Sequence, residues 1–243
     1  MHVTDRIPAS LARALRPVTL VVGHYGTGKT NFAVNLAVDL VKAGKHVTLI
    51  DLDIVNPYFR ASEQRRVLEE RGVQLVAPVF AEAGSSLDVP SLTGKISPAI
   101  ELAGDDRYVI LDVGGDDAGS VAVGRYARII CEREYAMLAV LNRFRNLVQD
   151  PVDAVENLEE IQAASHLQVT ALIDNAHLKN ATEIETIRKG MQHAQEVSNA
   201  TNMPLACVTV PQHLADESGA ALESFVKSEL FYAVKMYVKT PWE

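Results

Sequence analysis

The chain has 243 residues, 48% of them hydrophobic, and a formal net charge of -8. That suits a single α/β domain over 1–243 with a sizeable core, and it argues against nonspecific nucleic-acid binding through a strongly basic face. The two cysteines, Cys131 and Cys207, form no C-x-x-C unit and suggest neither a zinc ribbon nor a disulfide framework. With no signal-like opening and no bilayer-length apolar run, the expectation is a cytoplasmic protein without a membrane role.

Residues 1–16 are expected to form a surface lead-in, with Leu11, Leu15 and the alanines in one or two helical turns. Val18 to Val22 is an apolar, β-branched strand. It runs into Gly23-His24-Tyr25-Gly26-Thr27-Gly28-Lys29-Thr30, which fits G-x-x-x-x-G-K-[ST], the phosphate-binding P-loop. A helix from Asn31 to Lys42 follows, and strand, glycine loop and helix together are the context that gives the motif its meaning. The glycines let main-chain N–H groups approach phosphate oxygens, and the helix adds its positive end. Lys29 is placed to reach the β- and γ-phosphates, and the Thr30 hydroxyl to ligate Mg²⁺. The candidate nucleotide-binding residues of this stretch are Gly23 through Thr30, with Asn31.

After a stop at Ala43-Gly44-Lys45, the strand His46 to Ile50 ends in Asp51-Leu52-Asp53. Acids at the carboxyl end of a strand beside a phosphate loop sit where open parallel sheets bind ligands. Asp53 is the candidate for orienting the attacking water or holding Mg²⁺ through water. Asp51 is the weaker candidate, or a solvated cap. Pro57, Tyr58 and Phe59 have the character of a partly apolar switch loop or of plain packing. A charged helix is expected over 62–71 and a strand over 73–80. The Gly-, Ser- and Pro-rich segment 81–94 reads as a connecting loop or a lid, and 97–103 as a short helix.

Arg107 to Asp112 has the form of a Walker B strand, whose terminal Asp112 would join the Mg²⁺ shell. Gly114 and Gly115 supply a turn able to follow the γ-phosphate. Asp116 and Asp117 either help place water or cap the next helix. A helix over 121–133 and a strand over 135–141 follow. Arg143 and Arg145 then stand where they could reach phosphates, an acidic partner or surface ion pairs. A helix from Pro151 to about Ser165 leads to a strand over 167–173, which ends in Asp174-Asn175-Ala176-His177. The apolar stripe of 181–199 is a core helix face, and 204–210 is the last clear strand. The remainder, 216–236, reads as a helix packed on the body, with a tail to 243. Strands alternate with helices throughout. The expected fold is a three-layer α/β arrangement, a mostly parallel sheet of about seven strands with helices on both faces.

P-loop, Asp-x-Asp strand end and Walker B strand together resemble the MinD/ParA/CobQ-type group of P-loop ATPases, relatives of the signal-recognition GTPases. The resemblance covers nearly the whole chain, and its wording is similar to bacterial ATP-binding proteins of that group. It implies ATP and Mg²⁺ as cofactors. The hydrolysis-supporting acid would be Asp53, the Walker B acid Asp112, the adenine-bonding amide Asn175, and the loop flanking the base Pro211 and Gln212. Asp174-Asn175-Ala176-His177 does not match the guanine-reading element of the related GTPases, which favours adenine. The group's second P-loop lysine, used across a dimer, is replaced here by His24. An imidazole would stand in for that lysine only when protonated, or His24 simply tolerates the turn. The implied function is a slow Mg²⁺-dependent ATPase acting as a nucleotide-dependent switch on a protein partner, with a homodimer possible. The alternatives are an ATP-dependent small-molecule kinase or CobQ-type ligase, in which the 81–94 loop, Arg143 and Arg145 would hold the substrate, and a non-hydrolysing ATP-binding module.

Overall fold

The computed structural model describes residues 6–53, 61–77, 94–115 and 117–237, without the side chains of 61–64 and 117–118. The expected switch segment at Pro57 to Phe59, nearly all of the 81–94 loop and Asp116 lie outside the described residues.

Among the described residues, eight strands form one sheet: β1 (Val18–Val22), β2 (His46–Leu52), β3 (Val73–Val76), β4 (Arg107–Val113), β5 (Tyr135–Leu141), β6 (Ala171–Asp174), β7 (Leu205–Pro211) and β8 (Phe231–Val234). Their order is β3-β2-β4-β1-β5-β6-β7-β8, and every neighbouring pair is parallel. The helices are α1 (Ala9–Ala14), α2 (Lys29–Lys42), α3 (Ala61–Glu69), α4 (Ile96–Glu101), α5 (Asp117–Gly124), α6 (Ala127–Cys131), α7 (Pro151–Ser165), α8 (Ile184–Thr201) and α9 (Gln212–Glu223).

Alternation along the strands splits the core in two. Val18, Leu20 and Val22 of β1 face a cluster with Ile100, Val123, Ile130, Leu158 and Val197, contributed by α4 to α8. Val21 faces the opposite cluster with Leu11, Phe32, Leu36 and Tyr232. β1 is wholly buried because helices cover both faces, which is why it reads as an unbroken apolar run. The chain leaves β1 toward β2 on one side, while β5 lies on the other side. The carboxyl end of β1 is therefore the switch point where a crevice opens.

Two expectations are corrected. The lead-in is not confined to the surface: Leu11 of α1 is fully buried and Leu15, just past the helix, nearly so, both packed in the same core cluster. The helix expected over 216–236 is also wrong. α9 occupies 212–223, and Phe231-Tyr232-Ala233-Val234 is an eighth strand whose burial alternates half-buried, buried, half-buried, buried. Its aromatic and β-branched residues follow period two, and β7 supplies the ladder; Val234, four residues from Leu230 and three from Phe231, fits a helical stripe as well and masked this. Tyr232 anchors the strand, standing edge-on to Phe32 at 6.2 Å and donating its hydroxyl to Asp39 Oδ2 at 3.1 Å. Smaller differences are the split of the 121–133 helix into α5 and α6, and a β6 that starts only at Ala171. Among the described residues, no helix is long and apolar enough to cross a membrane.

Candidate functional site

The loop between β1 and α2 is built on glycines in the left-handed region, with φ of 137° at Gly23 and 89° at Gly28. A Cβ at Gly23 would collide with the Val140 carbonyl oxygen, and one at Gly28 with the Asn175 amide nitrogen, so neither position admits a side chain. The His24 carbonyl gathers the loop, accepting from Thr27 N–H at 3.3 Å, Thr27 Oγ1 at 2.9 Å and Lys29 Nζ at 3.0 Å. Lys29 is only 7% exposed. The turn after β4 lies against the same amine, because a Cβ on Gly115 would stand 2.6 Å from Lys29 Nζ and from the Tyr25 nitrogen. No side chain caps α2 at Gly28, which leaves the first-turn N–H groups for an anion.

β2 and β4 are neighbours in register, and Asp51 pairs with Asp112 across them. Asp112 is 4% exposed; one oxygen accepts from the Thr30 hydroxyl, and Oδ1 has no hydrogen-bond partner among the described residues. Burial pushes the Asp112 carboxyl up to about 6, against the opposing pull of the Thr30 hydroxyl and the Lys29 charge. Burial, and then the Asp112 charge, push Asp51 up to about 7. Asp51 Oδ1 accepts the Asp53 N–H at 3.0 Å, which shapes the turn that carries Asp53 into the cavity wall. An orphaned carboxylate oxygen beside a hydroxyl, with further acids adjacent, is an all-oxygen set that fits Mg²⁺. Among the described residues, no three His, Cys, Asp or Glu side chains form a metal cage. A phosphate-site Mg²⁺ needs none, since one or two carboxylates and the phosphates suffice.

The loop opens into a cavity of about 460 Å³, within the range of small-ligand sites. Gly26, Gly28, Lys29, Thr30 and Asp53 line its phosphate end, and Asn175, Pro211 and Gln212 line the other part of the wall. The structure thus brings together the expected P-loop, Asp53, Asn175, Pro211 and Gln212. Asn175 is engaged within the protein: its Nδ2 donates to the Thr27 carbonyl at 2.6 Å and its Oδ1 accepts from Thr209 Oγ1 at 2.5 Å. It ties β6, β7 and the P-loop together, which leaves one amide N–H for a ligand. Gln212 is likewise held, accepting from Arg6 at 2.9 Å and donating to Asp216 at 2.8 Å.

Sequence reasoning missed one wall altogether. Val234, Lys235 and Met236, at the end of β8, line the cavity. Asn31 and Asn35 of α2 pin this strap. Both donate to the Lys235 carbonyl, at 3.0 and 2.8 Å, while Asn35 Oδ1 accepts from Lys235 N–H and Asn31 Oδ1 from Tyr237 N–H, each at 2.8 Å. Asn31 thus both lines the cavity and holds the strap. Asparagine twice on one face of a helix, four residues apart, was the available signal. Arg145 and His177 also line the cavity. Burial, and then the Arg145 charge, lower the His177 imidazole to about 4, so it stands neutral beside the loop.

Behind Asn175, Asp174 is 2% exposed; its Oδ1 accepts the Ala176 N–H at 3.1 Å and its Oδ2 has no partner among the described residues. α8 reaches it only through Gly190, where a Cβ would stand 2.8 Å from Oδ1. Burial lifts this carboxyl from 3.8 to about 7. The folded chain therefore holds a proton that the unfolded chain releases, and stability falls by about 1.4 kcal/mol per pH unit between those values. Asp174→Asn is expected to raise the melting temperature at pH 8, by an amount that fades toward pH 4. A gain independent of pH would contradict the buried carboxyl as its source.

Sheet order, P-loop and paired acids define a P-loop nucleotide-binding α/β protein. The chain belongs to the CobQ/CobB/MinD/ParA nucleotide binding domain family (CbiA), whose model matches residues 18–211. It is 31% identical over 128 residues to the signal recognition particle 54 kDa protein of Metallosphaera sedula, covering 53% of this chain and 26% of that protein. It thus spans about a quarter of that relative's length. Chloroplast FtsY from Physcomitrella patens shares the fold at 18% identity and a TM-score of 0.51, over 84% of this chain and 62% of that one. The signal recognition particle 54 kDa protein from Aeropyrum pernix K1, in complex with GDP, matches at 19% identity and a TM-score of 0.49, over 78% of this chain and 40% of that one.

Proposed function

We propose that this protein binds Mg·ATP, hydrolyses it slowly, and acts as a nucleotide-dependent switch. The observation that carries the reading is the contact of Thr30 with Asp112 beneath a P-loop whose lysine faces the same cavity. Thr30 and Asp112 would hold Mg²⁺, with Asp53 at its edge. Bound there, the ion would supply positive charge against the phosphates. The loop amides and Lys29 hold the β- and γ-phosphates, and Asp53 orients a water in line with the γ-phosphorus. Catalysis is then positioning and charge neutralisation.

The choice of adenine rests on the donors and acceptors of the wall. Among the described lining residues, the only carboxylate is Asp53, at the phosphate end. Guanine presents two adjacent donors, N1–H and the 2-amino group, that a carboxylate accepts best. Adenine presents one amino donor beside an acceptor, which amides and main-chain groups satisfy. The test is incubation with ATP and, separately, GTP plus Mg²⁺, following phosphate release and molar mass on one sample. ATP-selective binding with slow release is the expected result. Preference for GTP would overturn the base assignment, and failure to bind either would overturn the reading. A doubled mass with ATP would identify the switched state as a dimer.

A further inference from the structure

Arg145 enters the site from the turn after β5, and among the described residues no anion pairs with it. The turn is fixed: Phe144 N–H donates to Asn142 Oδ1 at 3.1 Å, Arg145 N–H to the Asn142 carbonyl at 3.0 Å, and Asn142 Nδ2 to the His177 carbonyl at 3.4 Å. From it the side chain runs across the P-loop. A Cβ on Gly26 would stand 3.5 Å from Arg145 Cδ and Nε and 3.8 Å from Cζ. The Nε is fully buried without a hydrogen-bond partner, and among the described residues the guanidinium makes no ion pair. Gly26 and the His177 ring stand beside it, and neither is an acid. A buried guanidinium donor left unpaired is costly.

Resting on the nucleotide reading above, we infer that Arg145 is a phosphate clamp supplied by the chain itself, its guanidinium donating to the polyphosphate of the bound nucleotide across Gly26. Arginine suits this place because its planar fork matches phosphate oxygens two at a time, and a lysine would offer only a point charge. The alternative is that Arg145 merely packs over Gly26, and the two differ in what they do to stability and to ligand choice. A clamp waiting for its anion weakens the empty fold slightly and tightens binding in proportion to the phosphates present. A packing residue stabilises the empty fold and is indifferent to phosphate number.

The test is calorimetric binding of ATP, ADP and adenosine, with Mg²⁺, to the wild-type chain, Arg145→Gln, Arg145→Lys and Arg143→Gln. Arg143 shares the turn and the charge but lies over the Phe144 ring at 5.8 Å, outside the cavity wall. Arg145→Gln is expected to weaken ATP binding by about tenfold to a hundredfold and ADP binding by no more than that, with adenosine unchanged. Arg145→Lys should fall between, Arg143→Gln should match the wild type, and ligand-free Arg145→Gln should melt no lower than the wild type. Wild-type ATP affinity in both Arg145 variants, or an equal loss for adenosine, overturns the clamp and leaves the nucleotide reading standing. A wild-type chain that binds no nucleotide overturns both.

Discussion

Lys29→Ala is expected to weaken ATP binding by about a hundredfold or more and to abolish hydrolysis. The amine lies almost wholly out of solvent, held on the His24 carbonyl 3.0 Å away and flanked by the Gly114–Gly115 turn. It is thus already positioned beside the loop that would hold the phosphates. Two charge-assisted hydrogen bonds, to the β- and γ-phosphates, are worth about 1.5–3 kcal/mol each, which gives the hundredfold scale. Alanine also leaves Asp112 without the nearby charge that opposes its protonation, so the second phosphate-facing group is weakened too. Isothermal titration with ATP and ADP measures the loss. Unchanged affinity would sink the assignment of this loop as the phosphate site.

Asp53→Ala, by contrast, is expected to keep ATP affinity within a few-fold and to lower the rate of phosphate release by about a hundredfold to ten-thousandfold, the range for a positioned proton-accepting or water-orienting group. Its backbone is set by the Asp51 carboxylate, and its side chain belongs to the cavity wall while Asp51 stands behind it. Single-turnover measurements with pre-bound ATP separate the chemical step from binding. If the variant releases phosphate at the wild-type rate, the water-orienting role belongs elsewhere. If it loses activity only at low Mg²⁺ and recovers at high Mg²⁺, Asp53 acts through the ion.

Much of this site was legible because it is written in consecutive residues. Gly23 to Thr30 carry backbone angles, cation and hydroxyl in one run, and Asp53 and Asp112 each close an apolar strand. Neither needs long-range information once the strands are recognised. The pairing of Asp51 with Asp112 is another matter. It requires β2 to lie beside β4, and sheet order is not encoded in local period. Asn175 was expected as an adenine-bonding amide; it lines the cavity, and its tie to Thr27 and Thr209 depends on where β7 lies. The strap at 234–236 was hidden because a short strand with one helical-looking flank was absorbed into a helix. Arg145 was one of two arginines that sequence treats alike; only the turn at Asn142 sends one over the loop and the other over Phe144.

The pinning of the strap by α2 also sets the order in which the protein becomes competent during its own synthesis. Asn31 and the Tyr237 nitrogen it holds are separated by 206 positions. At about 5–20 residues per second, translation needs about 10 to 40 s to cover that distance. Throughout that interval the ribosome has already delivered the glycine loop, yet one side of the pocket does not exist. Until then the chain lacks Val234, Lys235 and Met236 from the cavity wall. A ligand of the complete pocket would therefore be captured only once β8 is in place, and would then stabilise the fold by mass action.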